Sequence, residues 1–451
     1  MSLSGAMNTA VTGLDVQSKA LGNISDNVAN VQTTGYKRID TSFASLITQA
    51  TARNHEPGGV LSRPLYMNNV QGTIQSTGTI TNLAIAGEGM FAVSEKTGVS
   101  TVGGSPTFAA DPLYTRAGDF SLDSDGYLVN GSGYYLNGWT VDPTTGIVSK
   151  NTTAPIQVTQ LKDNPQATTV INFAANLPTQ PDTQLDVDSV TAGVQMPPQA
   201  VTIYDAQGTA HVMELNWSWN SATPSTWSLG LTTPDATIAS ATPATTNNPV
   251  PLTFYTTNNT VTGAQAGSIE TIDGAAAGGV GADAAITFNV TYANGDTQAV
   301  TLSFGDYGVA QQLTNFTGTD IELNSAQQDG LPPGSFRNLS IGADGMVTLN
   351  YDNGNKRTVY QIPVAQFQNY DGLQSEAGNA FSATPDSGAP TLLAAGSNGL
   401  GSVQASSVEG SNVDVSSELV KMIQAQSAYA ANARVISTAN EMMRTIQQAA
   451  Q

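Results

Sequence analysis

The chain has 451 residues, of which 11% are charged, and its carboxylates outnumber lysine and arginine by 35 to 15, for a formal charge of -20. That length can bury the cores of about three domains, and the acidity argues against nucleic acid and anionic membrane as partners. Cysteine is absent, which excludes a disulfide framework and thiolate metal sites, and no run approaches the roughly 18 apolar residues of a membrane-spanning helix.

The first segment, MSLSGAMNTAVTGL, lacks a basic stretch followed by a continuous apolar run, so no secretory signal peptide is expected. Leu3, Met7, Ala10, Leu14, Gln17, Leu21, Ile24, Val28 and Val31 instead follow alternating four- and three-residue steps, the spacing of a coiled-coil seam. This predicts a helix ending at Gly35, a residue suited to the left-handed conformation just past a helix end. From 39 to 76 the sequence is polar, with Pro57, Gly58, Gly59 and Pro64, and reads as an extended connector.

Period-two patterning follows. In FSLDSDGYLVNGSGYYLNGW (120–139) short apolar alternations are broken by Asp125-Gly126, Asn130-Gly131 and Asn137-Gly138, pairs that favour hairpin turns. Met213, Leu215, Trp217 and Trp219 alternate with polar residues, and so do Ile286, Phe288, Val290 and Tyr292, which run into Asn294-Gly295 and return through Val300, Leu302 and Phe304. The low-complexity stretches 232–249 and 263–285 read as surface loops. A second seam closes the chain, with Val415, Leu419, Met422, Gln426, Tyr429, Ala433, Ile436, Asn440 and Met443 at heptad spacing after a start near Asp414 or Ser416. Residues 1–38 and 413–451 are close to neutral, so the excess acidity lies between them.

The fold expected is multidomain and mainly β with α-helical termini. Residues 1–38 and 413–451 pair as a coiled coil; 39–76 and 400–412 connect; 77–158 and 326–399 form an antiparallel β inner domain; and 159–325 form an inserted β outer lobe. No catalytic, cofactor or metal site is expected. The two histidines, His55 and His211, have no second histidine or paired acid at ligand spacing and read as solvent-facing. GEGMFA (87–92) fits a dinucleotide fingerprint, yet the following VSEKTG reads as a strand rather than the helix that would hold a pyrophosphate. SLDSDG (121–126) lacks the first and last carboxylates of a calcium loop.

NISDNVANVQTTGYKR (23–38) resembles the N-terminal signature of the axial proteins of the bacterial flagellum, the rod, hook and hook-associated proteins, and EGSNVDVSSELVKMIQAQSAYAANARVISTANEMM (409–443) resembles their C-terminal signature. GEGMFAV, YTRAGDFSLDSDGYLVNGSGYYLNGW and DNGNKRTVYQIPVAQFQNYDGL resemble the inner β-domain of the hook and distal-rod branch. The large insertion is similar to that of the hook branch. One departure is Thr34, where the family commonly has proline.

The resemblance implies a helical tubular homopolymer that transmits motor torque as a flexible universal joint. It also implies partners in the distal rod, hook cap and hook–filament junction proteins, and passage through the flagellar export apparatus to the outside of the cell without a cleaved signal peptide. Leu3, Met7, Leu14, Leu21, Ile24, Val28, Leu419, Met422, Tyr429, Ile436 and Met443 are then the expected assembly residues. Val11, Val16, Val420, Ile423, Val435, Met442 and Ile446 offer further apolar faces, and both ends are expected to fold on assembly. A distal-rod or hook-associated protein is the nearest alternative. A secreted β-rich adhesin or glycan binder is the alternative of another class.

Overall fold

The computed structural model describes residues 3–51, 54–99, 106–143, 145–158, 162–182, 194–220, 223, 225–242, 249–275 and 279–449. Two compact units emerge, one of residues 1–161, 337–350 and 356–451 and the other of 162–336 and 351–355. Long helices stand at both ends, and among the described residues the elements between them are strands and two short 3-10 turns.

The first unit opens with α1 (Leu3–Ala29) and closes with α2 (Val415–Ala449). Asp414 caps α2 as its sequence suggested, its Oδ1 accepting from the amides of Ser416 at 2.8 Å and Ser417 at 3.1 Å. The exit from α1 comes earlier than expected. The helix stops at Ala29 and a turn carries the chain to Gly35, whose φ of 68° is left-handed. The reason is Asn27, whose side chain binds Ile39 like a neighbouring strand: Oδ1 accepts from the Ile39 amide and Nδ2 donates to its carbonyl, each at 2.9 Å. Reversing the chain within a dozen residues leaves no room for another helical turn.

The stretch read as a connector forms a long antiparallel ribbon, β1 (Ile39–Thr51) with β2 (Asn54–Tyr66), bulged near Leu46 and Ile47. It lies along α1: Asn23 Nδ2 donates to Thr41 Oγ1 at 2.9 Å, and Gly59 sits so near Thr12 that a Cβ would stand 2.6 Å from the Thr12 hydroxyl.

The main sheet of this unit is centred on Met90–Val99 and Tyr134–Val141, which pair antiparallel. Leu113–Thr115 and Ala380–Ser382 extend it on one side and Lys356–Gln361 on the other. One apolar cluster in it joins Met90, Ala92, Tyr114, Phe367 and Phe381. GEGMFA leads straight into the Met90 strand, so no helix start is available for a pyrophosphate. Of the three predicted turn pairs, Asp125-Gly126 holds, with Gly126 at φ 81°. The second turn tightens at Gly133 rather than Gly131, because Asn130 Oδ1 gathers the amides of Ser132 and Tyr134. Asn137-Gly138 makes no turn; it lies inside a buried strand, where Asn137 donates to Ser94 Oγ at 2.8 Å and a Cβ on Gly138 would meet Ile156 at 2.8 Å.

The second unit is a β-sandwich with one apolar core shared by two sheets. One sheet runs through Ala236–Thr242, Asp283–Tyr292, Thr297–Asp306, Val170–Pro178 and Leu313–Phe316; the other through Val194–Gln195, Ala210–Trp219, Thr226–Thr232, Val250–Phe254 and Ile269–Ile272. Val170–Pro178 pairs parallel with both of its neighbours in that path, so the lobe is not purely antiparallel. The predicted alternations hold: Met213, Leu215, Trp217, Ile286, Phe288 and Val290 are buried, and Gly295 turns the hairpin at φ 89°. Both low-complexity stretches contribute strands, Ala236–Thr242 and Ile269–Ile272, while residues 243–248 and 276–278 of them lie outside the described residues.

His211 is not solvent-facing. It is in phase with Met213, Leu215 and Trp217 and is buried, with Nδ1 2.6 Å from Asp235 Oδ2, Nε2 3.3 Å from Asp205 Oδ2, and its ring 4.3 Å from that of Tyr292. Burial alone would raise the Asp205 carboxyl, but hydrogen bonds from Thr209, His211 and Gln207 outweigh it and leave Asp205 below its ordinary value. The His55 side chain lies outside the described residues.

Candidate assembly interface

Within the first unit α1 and α2 pack on each other, but the face that meets is not the seam of large residues. The buried stripe of α1 is Ala10, Gly13, Val16, Ala20, Ile24 and Asn27. It coincides with the predicted seam at Ala10 and Ile24 and elsewhere runs one residue before it. Met7, Leu14, Leu21 and Val28 flank the contact half-buried, and the Leu3 side chain lies outside the described residues. On α2 the inward positions are Glu418, Ala425 and Ala439, with Asn432 and Ile436 half-buried beside them. Small residues decide the choice because they permit the closest approach of the two helices: a Cβ on Gly13 would stand 2.7 Å from Asn432 Nδ2.

The consequence is a long apolar surface left bare. Leu419, Tyr429 and Met443 are 46%, 42% and 44% exposed, and Met422 and Ile436 are half-buried. Val420, Ile423, Val435, Met442 and Ile446 of the same helix are also exposed, as are Val11 of α1 and Phe43, Leu46, Leu61 and Leu65 of the ribbon. Between the start of α2, the second half of α1 and the base of the ribbon lies a groove lined by Ala20, Ile24, Phe43, Leu65, Ala425 and Ala428 among others.

One polar cluster ties the segments flanking the helices to the sheet, and a second ties the helices to the ribbon. In the first, Glu409, wholly buried, receives Lys37 Nζ on Oε1 at 2.6 Å and Arg116 Nη1 on Oε2 at 2.8 Å, while the Gly72 amide donates to Oε1 at 2.9 Å. The surplus positive charge is met by carbonyls: Lys37 reaches Val70 O at 2.6 Å, and Arg116 reaches Ile85 O at 3.2 Å and Gly87 O at 2.7 Å. The Glu409 carbonyl accepts from the Gly35 amide at 2.8 Å, and Gly35 needs its missing Cβ because the Ala117 backbone would stand 2.4 Å from it. Burial pulls the Lys37 ammonium below its ordinary value, with Glu409 opposing and Arg116 adding to the fall.

In the second cluster Lys421 Nζ bridges Asp40 Oδ1 at 2.5 Å and Glu418 Oε1 at 2.7 Å, and Asn27 Nδ2 donates to Glu418 Oε2 at 3.1 Å. Burial would lower Lys421, but its bonds to Asp40 and Glu418 prevail and raise it. In the sequence Lys37, Arg116 and Glu409 stand in three separate signatures. That GYKR, YTRAG and EGSN converge on one buried carboxylate is visible only in the fold.

Four family models match along the chain: "Flagella basal body rod protein" at 7–37, "Flagellar hook protein FlgE/F/G D1 domain" at 84–203, "Flagellar basal body protein FlaE D2 domain" at 176–331 and "Flagellar basal body rod FlgEFG protein C-terminal" at 404–449. The flagellar hook protein FlgE of Brucella abortus is 30% identical over 443 residues, covering 98% of either chain. The chain belongs to the flagellar hook protein family. The hook protein of Salmonella typhimurium is 29% identical over 448 residues, covering 98% of this chain and 99% of its own. A crystal structure of the Helicobacter pylori hook protein FlgE2 aligns with 73% of this chain and 99% of its own at 16% identity and a TM-score of 0.47.

Membership makes this protein a structural subunit of the flagellar hook, and the alternatives raised by the sequence are not favoured. The first and last of the family models span most of α1 and of α2. No helix among the described residues is long and apolar enough to cross a membrane.

Proposed function

We propose that this hook protein polymerises into a helical tube through the terminal helices, with the bare apolar surface of α2 covered by other copies. The observation that supports this most directly is the exposure along α2 of Leu419, Tyr429 and Met443 together with Ile423, Met442 and Ile446, the last three at 63%, 53% and 60%. Exposed apolar area of this extent on a folded helix calls for a partner. Heterologous contacts of that surface that do not close would generate a helix rather than a ring.

Leu3, Met7, Leu14, Leu21, Ile24, Val28, Leu419, Met422, Tyr429, Ile436 and Met443 are the assembly residues of this reading. Ile24, already buried within the chain, acts by holding α1 in place. The division into a helical layer of 1–38 and 413–451, connectors of 39–76 and 400–412, an inner β domain of 77–158 and 326–399 and an outer lobe of 159–325 is part of the same proposal. The near match of the second compact unit to the lobe supports that division.

The polymer would carry motor torque while bending, its helical layer bearing load and its lobes making small, wet contacts that slide. The role is structural rather than catalytic. The distal rod, the hook cap, the hook–filament junction proteins and the flagellar export apparatus are the proposed partners, and the hook outside the cell the proposed location. Both helical ends are proposed to gain their full order on assembly. Electron microscopy of the purified full chain should show tubes, and removal of residues 1–38 and 413–451 should leave a monomer. Polymerisation unchanged by that removal would contradict the proposal.

A further inference from the structure

The second unit has an unusual charge inventory. Residues 163–336 contain no lysine or arginine, and the whole unit holds sixteen carboxylates against one cation, Lys162, at its border. The remainder of the chain is more balanced, with nineteen carboxylates and fourteen lysines and arginines. Within 163–336 the only other side chain able to carry positive charge is His211, and it is enclosed with Asp205 and Asp235. Among the described residues only Asp163 and Asp205 of the unit's carboxylates are buried. Asp182, Asp283, Asp296, Asp320 and Glu322 are exposed, and they sit at a strand exit, a strand start, a hairpin tip and the approach to another strand.

Two copies of such a unit cannot form a lysine– or arginine–carboxylate bridge through residues 163–336, whichever faces meet. Every approach brings two net-negative units together. The range of that repulsion is the Debye length, about 10 Å at 0.1 M salt and about 30 Å at 0.01 M. Surfaces a few ångströms apart in a polymer therefore feel it at either concentration, and far more at the lower.

We propose that the second unit is an electrostatic spacer: neighbouring copies in the polymer hold these units apart by mutual repulsion, so their separation is set by ionic strength. This rests on the assembly reading above and adds the physical control on lobe contacts. Contacts that rely on hydrogen bonds and small apolar touches, with no ion pairs to lock them, are free to slide when salt screens the repulsion and are forced open when it does not.

The test is helical reconstruction by cryo-electron microscopy of tubes of the full chain, imaged at about 0.3 M and at about 0.01 M sodium chloride. Neighbouring second units should stand measurably farther apart at low salt. The change should shrink in a variant carrying Asp182→Asn, Asp283→Asn, Asp296→Asn, Asp320→Asn and Glu322→Gln. Light scattering of the soluble chain supplies a second readout, a low-salt repulsion that the same variant loses in part. Tubes whose spacing ignores salt overturn the spacer alone. Units that draw together at low salt overturn it too, since that is the sign of attraction to a neighbour's basic residues. Absence of tubes at both salts overturns the assembly reading and the spacer with it.

Discussion

Replacing Glu409 by Gln probes the point where the terminal segments are tied to the sheet. The substitution keeps the side chain's size and its ability to accept from Gly72, but it removes the one anion between Lys37 and Arg116, whose side chains are 1% and 3% exposed. Removing one partner of a buried ion pair costs about 3–5 kcal/mol, chiefly because the other charge stays buried without compensation. Here two cations are left, so the upper part of that range applies. For a unit of this size a loss of 1 kcal/mol lowers the melting temperature by roughly 2–4 °C. The transition of the first unit should therefore fall by on the order of 10 °C in calorimetry while that of the second unit stays in place.

Lys37→Met is the contrasting variant. It leaves Arg116 and Glu409 as a one-to-one pair and removes a charge whose burial is itself unfavourable, so it should cost less than Glu409→Gln. Glu409→Gln behaving like a surface substitution, or Lys37→Met proving the more damaging of the two, would refute the reasoning.

Two glycines of α1 should respond in opposite senses. Gly13→Val drives a branched side chain into Asn432 and should cost about 1–3 kcal/mol, whereas Gly22, with nothing within 4 Å of a Cβ, should gain roughly 0.5–1 kcal/mol on replacement by Ala; helical circular dichroism on heating reads both. At high pH, burial holds the phenols of Tyr114 and Tyr292 up to about 12. The folded state then keeps protons that the unfolded state gives up above about 10, so their contribution is intact below that pH and lost as pH rises toward 12, by about 1.4 kcal/mol per pH unit for each group. Denaturation midpoints measured across that window should fall, and Tyr114→Phe should flatten the part of the slope that belongs to the first unit.

Much of the architecture was legible because it rests on local pattern. Heptad steps marked both helices, strict alternation from Met213 to Trp219 and from Ile286 to Tyr292 marked core strands, and Asn294-Gly295 marked their turn. The offset between the predicted seam and the buried stripe has a physical cause. Periodicity finds where apolar bulk lies, whereas close helix contact selects the smallest residues, Gly13, Ala20 and Ala425, and leaves Leu419 and Tyr429 outside. His211 could have been placed by its phase with Met213, but its aspartates come from the turn before its strand and the turn after the next strand, which spacing does not reveal. Asn137-Gly138 misled because its glycine answers to Ile156 across the fold rather than to a turn. The Lys37–Glu409–Arg116 cluster unites residues hundreds of positions apart and has no local signature at all.

The central claim is that the exposed apolar surface of α2 is what brings copies together. Its most direct test is the paired variant Leu419→Asp and Met443→Asp, at positions 46% and 44% exposed where carboxylates cost the single chain little. Electron microscopy and sedimentation under conditions in which the unaltered chain forms tubes should show this variant as monomer with an unchanged melting profile, because a carboxylate sealed in an apolar contact goes uncompensated. Tubes of normal length and number from the paired variant would contradict the account.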